Sequence, residues 1–359
     1  MSALEPLIRI LIVDDSAYNR RVIADILEES GQARVVGMAR DGEEAIKKAF
    51  DTRPDLITLD LEMPRMDGFT FLRIIMKSLP TPILVISSRA EDKNVFKALE
   101  LGAVDFLAKP ADHLKGADTL RQELLTKIAL VSQFKIKNVQ RMLNRGGEAR
   151  VLAVPAPLGA TDRPEVDLVA IGASTGGPSA LQTVFSSLPP GLQSAFVVSQ
   201  HMPNGFTKAF AERLDRNSHL AVKEAEDGDP VRPGHALVAP GGYNMTLLEA
   251  AGEVRVKNLP REPEDKYVPS VNELFKSAAA LYGPRLLAVV LTGMGNDGRD
   301  GIVAVKDAGG RTLAESERTA IVYGMPREAA ATRKVDRVVD LEEIALEIVR
   351  ECGHGRKAS

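Results

Sequence analysis

Three carboxylates and one ammonium punctuate the first third of the 359-residue chain: Asp14 and Asp15, then Asp60, then Lys109. Ser87 adds a hydroxyl between them. Each follows or closes an apolar run. Clustered carboxylates repel one another and call for a cation, and oxygen ligands with water suit a hard ion such as Mg2+. A carboxylate beside Mg2+ and a lysine can accept a phosphoryl group, because both cations neutralise its oxygens. A serine hydroxyl nearby can bond to that group once it is bound.

A second set lies beyond residue 165. The apolar run Val166–Ile171 leads into Gly172-Ala-Ser-Thr-Gly-Gly-Pro178. A glycine-rich turn between strand and helix can cradle phosphate on its N–H groups. The G-x-G-x-x-G spacing is absent, however, and the next apolar run ends Ser199-Gln-His201, without the acidic residue a ribose needs. The same residues fit G-x-S-x-G, which raises Ser174 on a strand-to-helix bend as a nucleophile. Serine is a poor nucleophile without a base. His201 closes the next apparent strand and can supply one. Asp297, in Thr292-Gly-Met-Gly-Asn-Asp-Gly298, follows another strand and can hold the imidazole in one tautomer. This order, Ser then His then Asp, is not the Ser–Asp–His order of α/β-hydrolases. The only later histidine is His354, in a glycine-rich tail, so that fold is disfavoured. His113, His219 and His235 fall beside element ends and read as surface or turn histidines.

The elements that must position these groups alternate strand and helix. Strands are expected at Ile8–Val13, Arg34–Met38, Leu56–Leu61, Ile83–Ser87 and Val104–Ala108, with helices between them marked by apolar residues at helical spacing. Such alternation implies a parallel sheet covered on both faces, with ligands outside the strands' carboxyl ends. Leu120, Leu124, Leu125, Ile128 and Val131 continue a helix, read as running to Leu143. Asn144–Pro164, with scattered Gly and Pro and no sustained period, reads as a linker. A second α/β pattern starts at Val166, with strands at Val166–Ile171, Phe196–Ser199 and Leu286–Thr292. Helices are expected at Ala180–Leu188, Thr207–Leu214, Val271–Leu281 and Gly301–Ala308. Between Ala221 and Lys257, short strands and turns indicate an antiparallel excursion. The expected organisation is thus a domain over 1–130, a helical extension and linker over 131–165, and a second domain over 166–359. Both domains are read as doubly wound α/β, the first five-stranded and parallel, the second mostly parallel.

Composition narrows the function. Hydrophobic residues at 44% and charged residues at 26% describe a folded globular chain. Aromatics at 4%, no Trp and a net charge of -3 argue against nucleic-acid binding. A single cysteine, Cys352, cannot form an internal disulfide or a cysteine-rich metal site. No apolar run approaches the ~20 residues of a membrane helix, and Met1–Pro6 lacks a signal-peptide pattern. A cytoplasmic protein, not inserted in a membrane, is expected.

Ile10-Leu-Ile-Val-Asp-Asp-Ser16, Leu59-Asp-Leu-Glu-Met-Pro-Arg-Met-Asp-Gly68 and Phe106-Leu-Ala-Lys-Pro110 resemble the receiver domain of two-component response regulators. The resemblance covers residues 7 to about 130. It implies Asp60 as phosphoacceptor, with Asp14, Asp15, Asp60 and the carbonyl of Glu62 around Mg2+. It also implies Ser87 and Lys109 as phosphoryl contacts and Phe106 as a switch aromatic. A plain core role for Phe106 reads equally well. Gly172-Ala-Ser-Thr-Gly-Gly-Pro178, Gln200-His-Met-Pro-Asn-Gly-Phe-Thr207, Phe210-Ala-Glu-Arg-Leu214, Leu291-Thr-Gly-Met-Gly-Asn-Asp-Gly298 and Tyr323-Gly-Met-Pro-Arg-Glu328 resemble chemotaxis protein-glutamate methylesterases. That resemblance spans about 166–350. It implies Ser174 as nucleophile, His201 as base, Asp297 as orienting acid, and the Met294 N–H with Thr175 as oxyanion site. The esterase chemistry is expected to need no cofactor. The pattern is departed from at Asn244, where many members carry His, and at Tyr267-Val-Pro-Ser-Val-Asn272, where they carry His-Arg-Pro-Ser-Val-Asp. These departures are expected to bear on substrate docking more than on chemistry.

The resemblance implies an esterase acting on glutamate γ-methyl esters of methyl-accepting chemotaxis receptors, with deamidation of receptor glutamines by the same acyl chemistry. A sensor histidine kinase is the implied phosphodonor. The different-class alternative is a response regulator that only binds partners, or serves as a phosphate sink with a degenerate esterase. A flexible tether keeps a receiver at high effective concentration beside its neighbour. Autoinhibition relieved by phosphorylation of Asp60 is therefore expected.

Overall fold

The computed structural model describes residues 7–87, 92–109, 117–129, 134, 136–145 and 165–353. The chain divides into two compact units, Met1–Gly147 and Glu148–Ser359.

The first unit alternates β1 (Ile8–Val13), α1 (Ala17–Glu29), β2 (Ala33–Ala39), α2 (Gly42–Thr52), β3 (Leu56–Leu59), α3 (Gly68–Ser78), β4 (Ile83–Ser87), α4 (Asp92–Glu100), β5 (Asp105–Ala108), α5 (Ala117–Ile128) and α6 (Ile136–Arg145). Five strands pair in parallel in the order β2-β1-β3-β4-β5. Successive strand residues face opposite sides. Ile10, Ile12, Leu84, Ile86 and Leu107 therefore share one face, packed on Ile23 and Leu27 of α1 and Leu124 and Ile128 of α5. The Lys127 ammonium also bonds the Asp105 carboxylate, tying α5 to β5. Side chains start the helices where the strands end. Ser16 accepts the Asn19 N–H at α1, Asp41 the Glu44 N–H at α2, and Asp67 the Thr70 N–H at α3. The helix expected to run from Leu120 to Leu143 is two helices, α5 and α6. Val131 and residues 146–164 of the expected linker lie outside the described residues, whereas Asn144 and Arg145 close α6.

The second unit contains β6 (Leu168–Ala173), α7 (Gly177–Ser187), β7 (Ala195–Gln200), α8 (Thr207–Arg216), β8 (Ala221–Glu224), β9 (His235–Val238), β10 (Tyr243–Ala250), β11 (Glu253–Pro260), α9 (Val271–Tyr282), β12 (Leu286–Val290), α10 (Arg299–Asp307), β13 (Arg311–Glu315), α11 (Met325–Ala331), β14 (Arg337–Val339) and α12 (Leu341–Glu351). Seven strands form a parallel sheet in the order β14-β13-β12-β6-β7-β9-β8. Strands β10 and β11 pair antiparallel, as a separate hairpin. The antiparallel excursion expected between Ala221 and Lys257 is this hairpin, whereas β8 and β9 extend the main sheet in parallel; four-residue strands carry no signal of their pairing direction. The hairpin's Met245, Leu247 and Val256 share a core with Leu274, Phe275 and Ala278 of α9 and with Ala170 and Val197 of the sheet. Strands β13 and β14 and helices α11 and α12 were not anticipated. Among the described residues, no helix is long and apolar enough to cross a membrane.

Candidate functional site

In each parallel sheet the chemistry-bearing residues gather beside a point where the strand order reverses. In the first unit the reversal lies between β1 and β3. Asp14 follows β1, Asp60 follows β3, Ser87 ends β4 and Lys109 follows β5. Carboxylate oxygens of Asp14, Asp15 and Asp60 lie within 4.8 Å of one another. Asp14 and Asp60 are buried, at 1% and 5% exposure, whereas Asp15 is open to solvent. The Lys109 ammonium contacts Asp60 and lies 3.1 Å from Asp14. Burial pushes the Asp60 carboxyl above the ordinary range, more than the Lys109 ammonium lowers it, and the Asp14 charge adds to the rise. Burial lowers the lysine, but Asp60 and Asp14 outweigh that and hold it above its usual value.

Three hard oxygen donors on one spot fit a Mg2+ ion. Glu62 sits in the turn after β3, its N–H 3.4 Å from Asp60 Oδ1. Gly68 packs on that turn. A Cβ there would lie 2.5 Å from the Asp60 carbonyl oxygen. Ser87 is fully buried, and its carbonyl accepts the Lys109 N–H at 2.7 Å. Phe106 is buried edge-on against Phe96 of α4, with ring centroids 6.4 Å apart. Its ring therefore belongs to the core in this structure.

In the second unit the reversal lies between β12 and β6. Ser174 follows β6, His201 follows β7, and Asp297 lies beyond β12. His201 Nδ1 is 3.2 Å from Ser174 Oγ, and His201 Nε2 is 2.8 Å from Asp297 Oδ2. An ionised aspartate only accepts, so Nε2 carries the proton and Nδ1 presents a lone pair to the serine hydroxyl. The ring is thus turned the opposite way from a chymotrypsin-type triad, in which Nε2 faces the nucleophile. Asp297 is held by an unusual number of donors. Its carboxylate accepts the N–H groups of Val271 at 2.7 Å, Asn272 at 2.9 Å and Gly298 at 3.0 Å, and the Ser270 hydroxyl at 3.3 Å. Burial pushes this carboxyl up, but His201 and the backbone amides more than offset it, so it stays ionised below the usual carboxylate range.

The segment at the expected oxyanion site passes directly beside Ser174. A Cβ on Gly293 would lie 2.8 Å from Ser174 Cβ, so only glycine lets the peptide leading to Met294 come this close. Thr175 is buried, and its carbonyl accepts the Thr292 hydroxyl at 3.0 Å.

Residues 169–348 match the family model of the CheB methylesterase, and residues 10–121 match that of the response regulator receiver domain. A protein-glutamate methylesterase/protein-glutamine glutaminase 3 of Geobacter sulfurreducens is 50% identical over 96% of this chain and 98% of its own length. The chain belongs to the CheB methylesterase family. The relative numbered 6 in Anaeromyxobacter dehalogenans is 49% identical, over 95% of each chain. Among solved structures, the Thermotoga maritima CheB methylesterase catalytic domain is 39% identical with a TM-score of 0.50, covering 52% of this chain and 98% of that domain.

Against this family background, several residues that sequence reasoning passed over support the triad. Gln200 Nε2 donates to the carbonyls of both Ser174, at 3.0 Å, and His201, at 2.9 Å, stapling the Ser174 turn to the His201 turn. Ser270 was legible as a helix start, since Ser270-Val-Asn-Glu273 has capping-box spacing. It aims the first turn of α9 at Asp297. Glu315 is fully buried and accepts the Thr292 N–H at 2.7 Å and the Thr319 hydroxyl at 2.9 Å. Burial pushes its carboxyl up to about 7 despite those donors. No local signal marks Gln200 or Glu315.

The departures from the family pattern touch the triad's support rather than a distant docking face. Asn244 accepts the Ser270 N–H at 2.8 Å. The Asn272 side chain accepts the N–H groups of Gly298 and Gly301 while its own N–H binds Asp297. Tyr267 stacks on the His201 ring.

Proposed function

We propose that this chain is a phosphorylation-regulated serine esterase that hydrolyses glutamate γ-methyl esters on methyl-accepting chemotaxis receptors and deamidates receptor glutamines. The hydrogen-bonded line from Ser174 through His201 to Asp297 carries this reading. Ser174 Oγ attacks the γ-carbonyl carbon while its proton passes to His201 Nδ1. Asp297 stabilises the imidazolium and keeps the ring aligned. The Met294 N–H, with Thr175, faces the developing oxyanion. His201 returns the proton to the leaving methoxide oxygen, releasing methanol, or to the leaving amide nitrogen of a glutamine, releasing ammonia. Water then attacks the acyl-enzyme with His201 again as base, and free glutamate departs.

In the receiver unit, Asp60 accepts the phosphoryl group from a sensor histidine kinase. Asp14, Asp15, Asp60 and the Glu62 carbonyl would hold Mg2+, which when bound neutralises phosphoryl oxygens. Lys109 and Ser87 contact those oxygens, and Phe106 reports the change to the surface of the unit. A cytoplasmic location follows from a kinase-fed pathway. The intact triad disfavours a phosphate sink or a purely binding output.

Methanol release from methylated receptor fragments, and ammonia release from their unmodified forms, tests the reading. Both should appear with the wild-type protein and vanish with Ser174→Ala. Unchanged release by Ser174→Ala would overturn it.

A further inference from the structure

The His201 ring is gripped at both nitrogens, by Ser174 at 3.2 Å and Asp297 at 2.8 Å. Two such bonds fix the line from Ser174 to Asp297 but leave the ring free to rock about that line. Tyr267 removes this freedom. Its ring lies parallel to the imidazole, with an interplanar angle of 10° and centroids 5.1 Å apart. The tyrosine is itself anchored, because its hydroxyl donates to Asn296 Oδ1 at 3.2 Å, on the residue next to Asp297. Gly295 makes room for it. There φ is 81°, and a Cβ would lie 2.3 Å from the Tyr267 hydroxyl. The loop Gly295-Asn296-Asp297 thus holds the orienting acid and receives the stacked ring together.

We propose that Tyr267 is a positioning residue for His201, clamping the imidazole face so that Nδ1 stays on Ser174 while Nε2 stays on Asp297. The proposal rests on the serine-esterase reading. Its effect falls mainly on the transition state. An imidazolium forms there, and an aromatic face within about 6 Å attracts a cation. Lys266 shares the ring, 4.9 Å from its centroid, but is solvent-exposed and competes weakly.

Full-length Tyr267→Leu and Tyr267→Phe proteins, checked by melting temperature, separate positioning from docking. Two rates are read: receptor-ester turnover, and covalent labelling of Ser174 by a small fluorophosphonate that is too small to need receptor docking. Tyr267→Leu should lower kcat roughly tenfold with KM within about twofold, and should slow labelling by the same factor. Tyr267→Phe, which keeps the stacked face, should stay within about threefold on both. Wild-type labelling by Tyr267→Leu, with or without a raised KM, would overturn the clamp and leave Tyr267 as a docking residue at most. An equal loss in Tyr267→Phe would assign the effect to the hydroxyl and overturn the stacking argument. Failure of the esterase reading looks different: wild-type protein would release no methanol and take no label at Ser174.

Discussion

Asp60 and Asp297 occupy equivalent places in two parallel sheets, beyond the carboxyl ends of strands beside a reversal of strand order. Both are buried, yet their carboxyls move in opposite directions. Asp60 shares its pocket with a second carboxylate and leans on one lysine. Asp297 is surrounded by N–H donors from the start of α9. Burial alone penalises the charged form in both. What differs is the donor set. In the proposed roles, the carboxylate to be modified, Asp60, has few donors and a lysine ammonium beside it. Asp297, proposed to stay ionised while Ser174 reacts, is surrounded by backbone amides.

The strongest way to break this comparison is to remove each site's reacting atom and see whether the other site notices. Ser174→Ala should lower methanol release by about five orders of magnitude or more, with Asp60 phosphorylation unchanged. Asp60→Asn should abolish phosphoryl incorporation from a Mg2+-dependent small phosphodonor, while basal esterase turnover persists and no longer rises on addition of the donor. Radiolabel retained at wild-type stoichiometry by that variant would remove Asp60 from the role.

Asp297→Asn sharpens the contrast further. The Val271 amide donates to Oδ2 and the Asn272 amide to Oδ1, so an asparagine keeps an oxygen for only one of them, and the neutral side chain no longer selects the Nε2–H tautomer. Turnover should fall by roughly 10^3 to 10^4, with a measurable remainder. A loss under tenfold would mean that the amide cage, and not the charge, orients the ring.

Much of both sites was legible because Asp14, Asp60, Ser174 and His201 fall at the ends of apolar runs, where a parallel sheet gathers ligands. The five strands of the receiver unit were legible for the same reason, each being a buried run bounded by turns. The esterase unit hid more. β14 is three residues long and half-exposed, and β8 and β9 have four residues each. Such strands owe their existence to the neighbour they pair with, not to their own pattern. The residues that support the triad were hidden by distance. Ser270 sits 27 positions before Asp297, and Gln200 reaches back 26 positions to the Ser174 carbonyl. No spacing rule links such pairs until the sheet is assembled.

The smallest expected effect concerns a third buried carboxylate, Glu315, raised from 4.5 to about 7 by burial. The folded form binds the proton more tightly than the unfolded chain. Its contribution is therefore fully present below about pH 4.5 and is lost as pH rises through about 7, a swing on the order of 3 kcal/mol at most. Glu315→Gln can keep the acceptor for the Thr292 N–H and should flatten that slope, raising the melting temperature at pH 8 by a few degrees relative to wild type. Calorimetry at pH 5 and pH 8 checks it. An unchanged pH slope would show that another group sets the loss.

The seven-stranded sheet closes at each end with very little strand. One margin is β14, three residues long, and the other is β8, whose Lys223 is engaged by Glu226 and Asp229. An unpaired strand margin is a template on which another chain can add itself, and shortness and charge blunt it. Neither margin offers a long apolar ladder, so this parallel sheet is poorly suited to seeding intermolecular β-aggregation when the protein is concentrated.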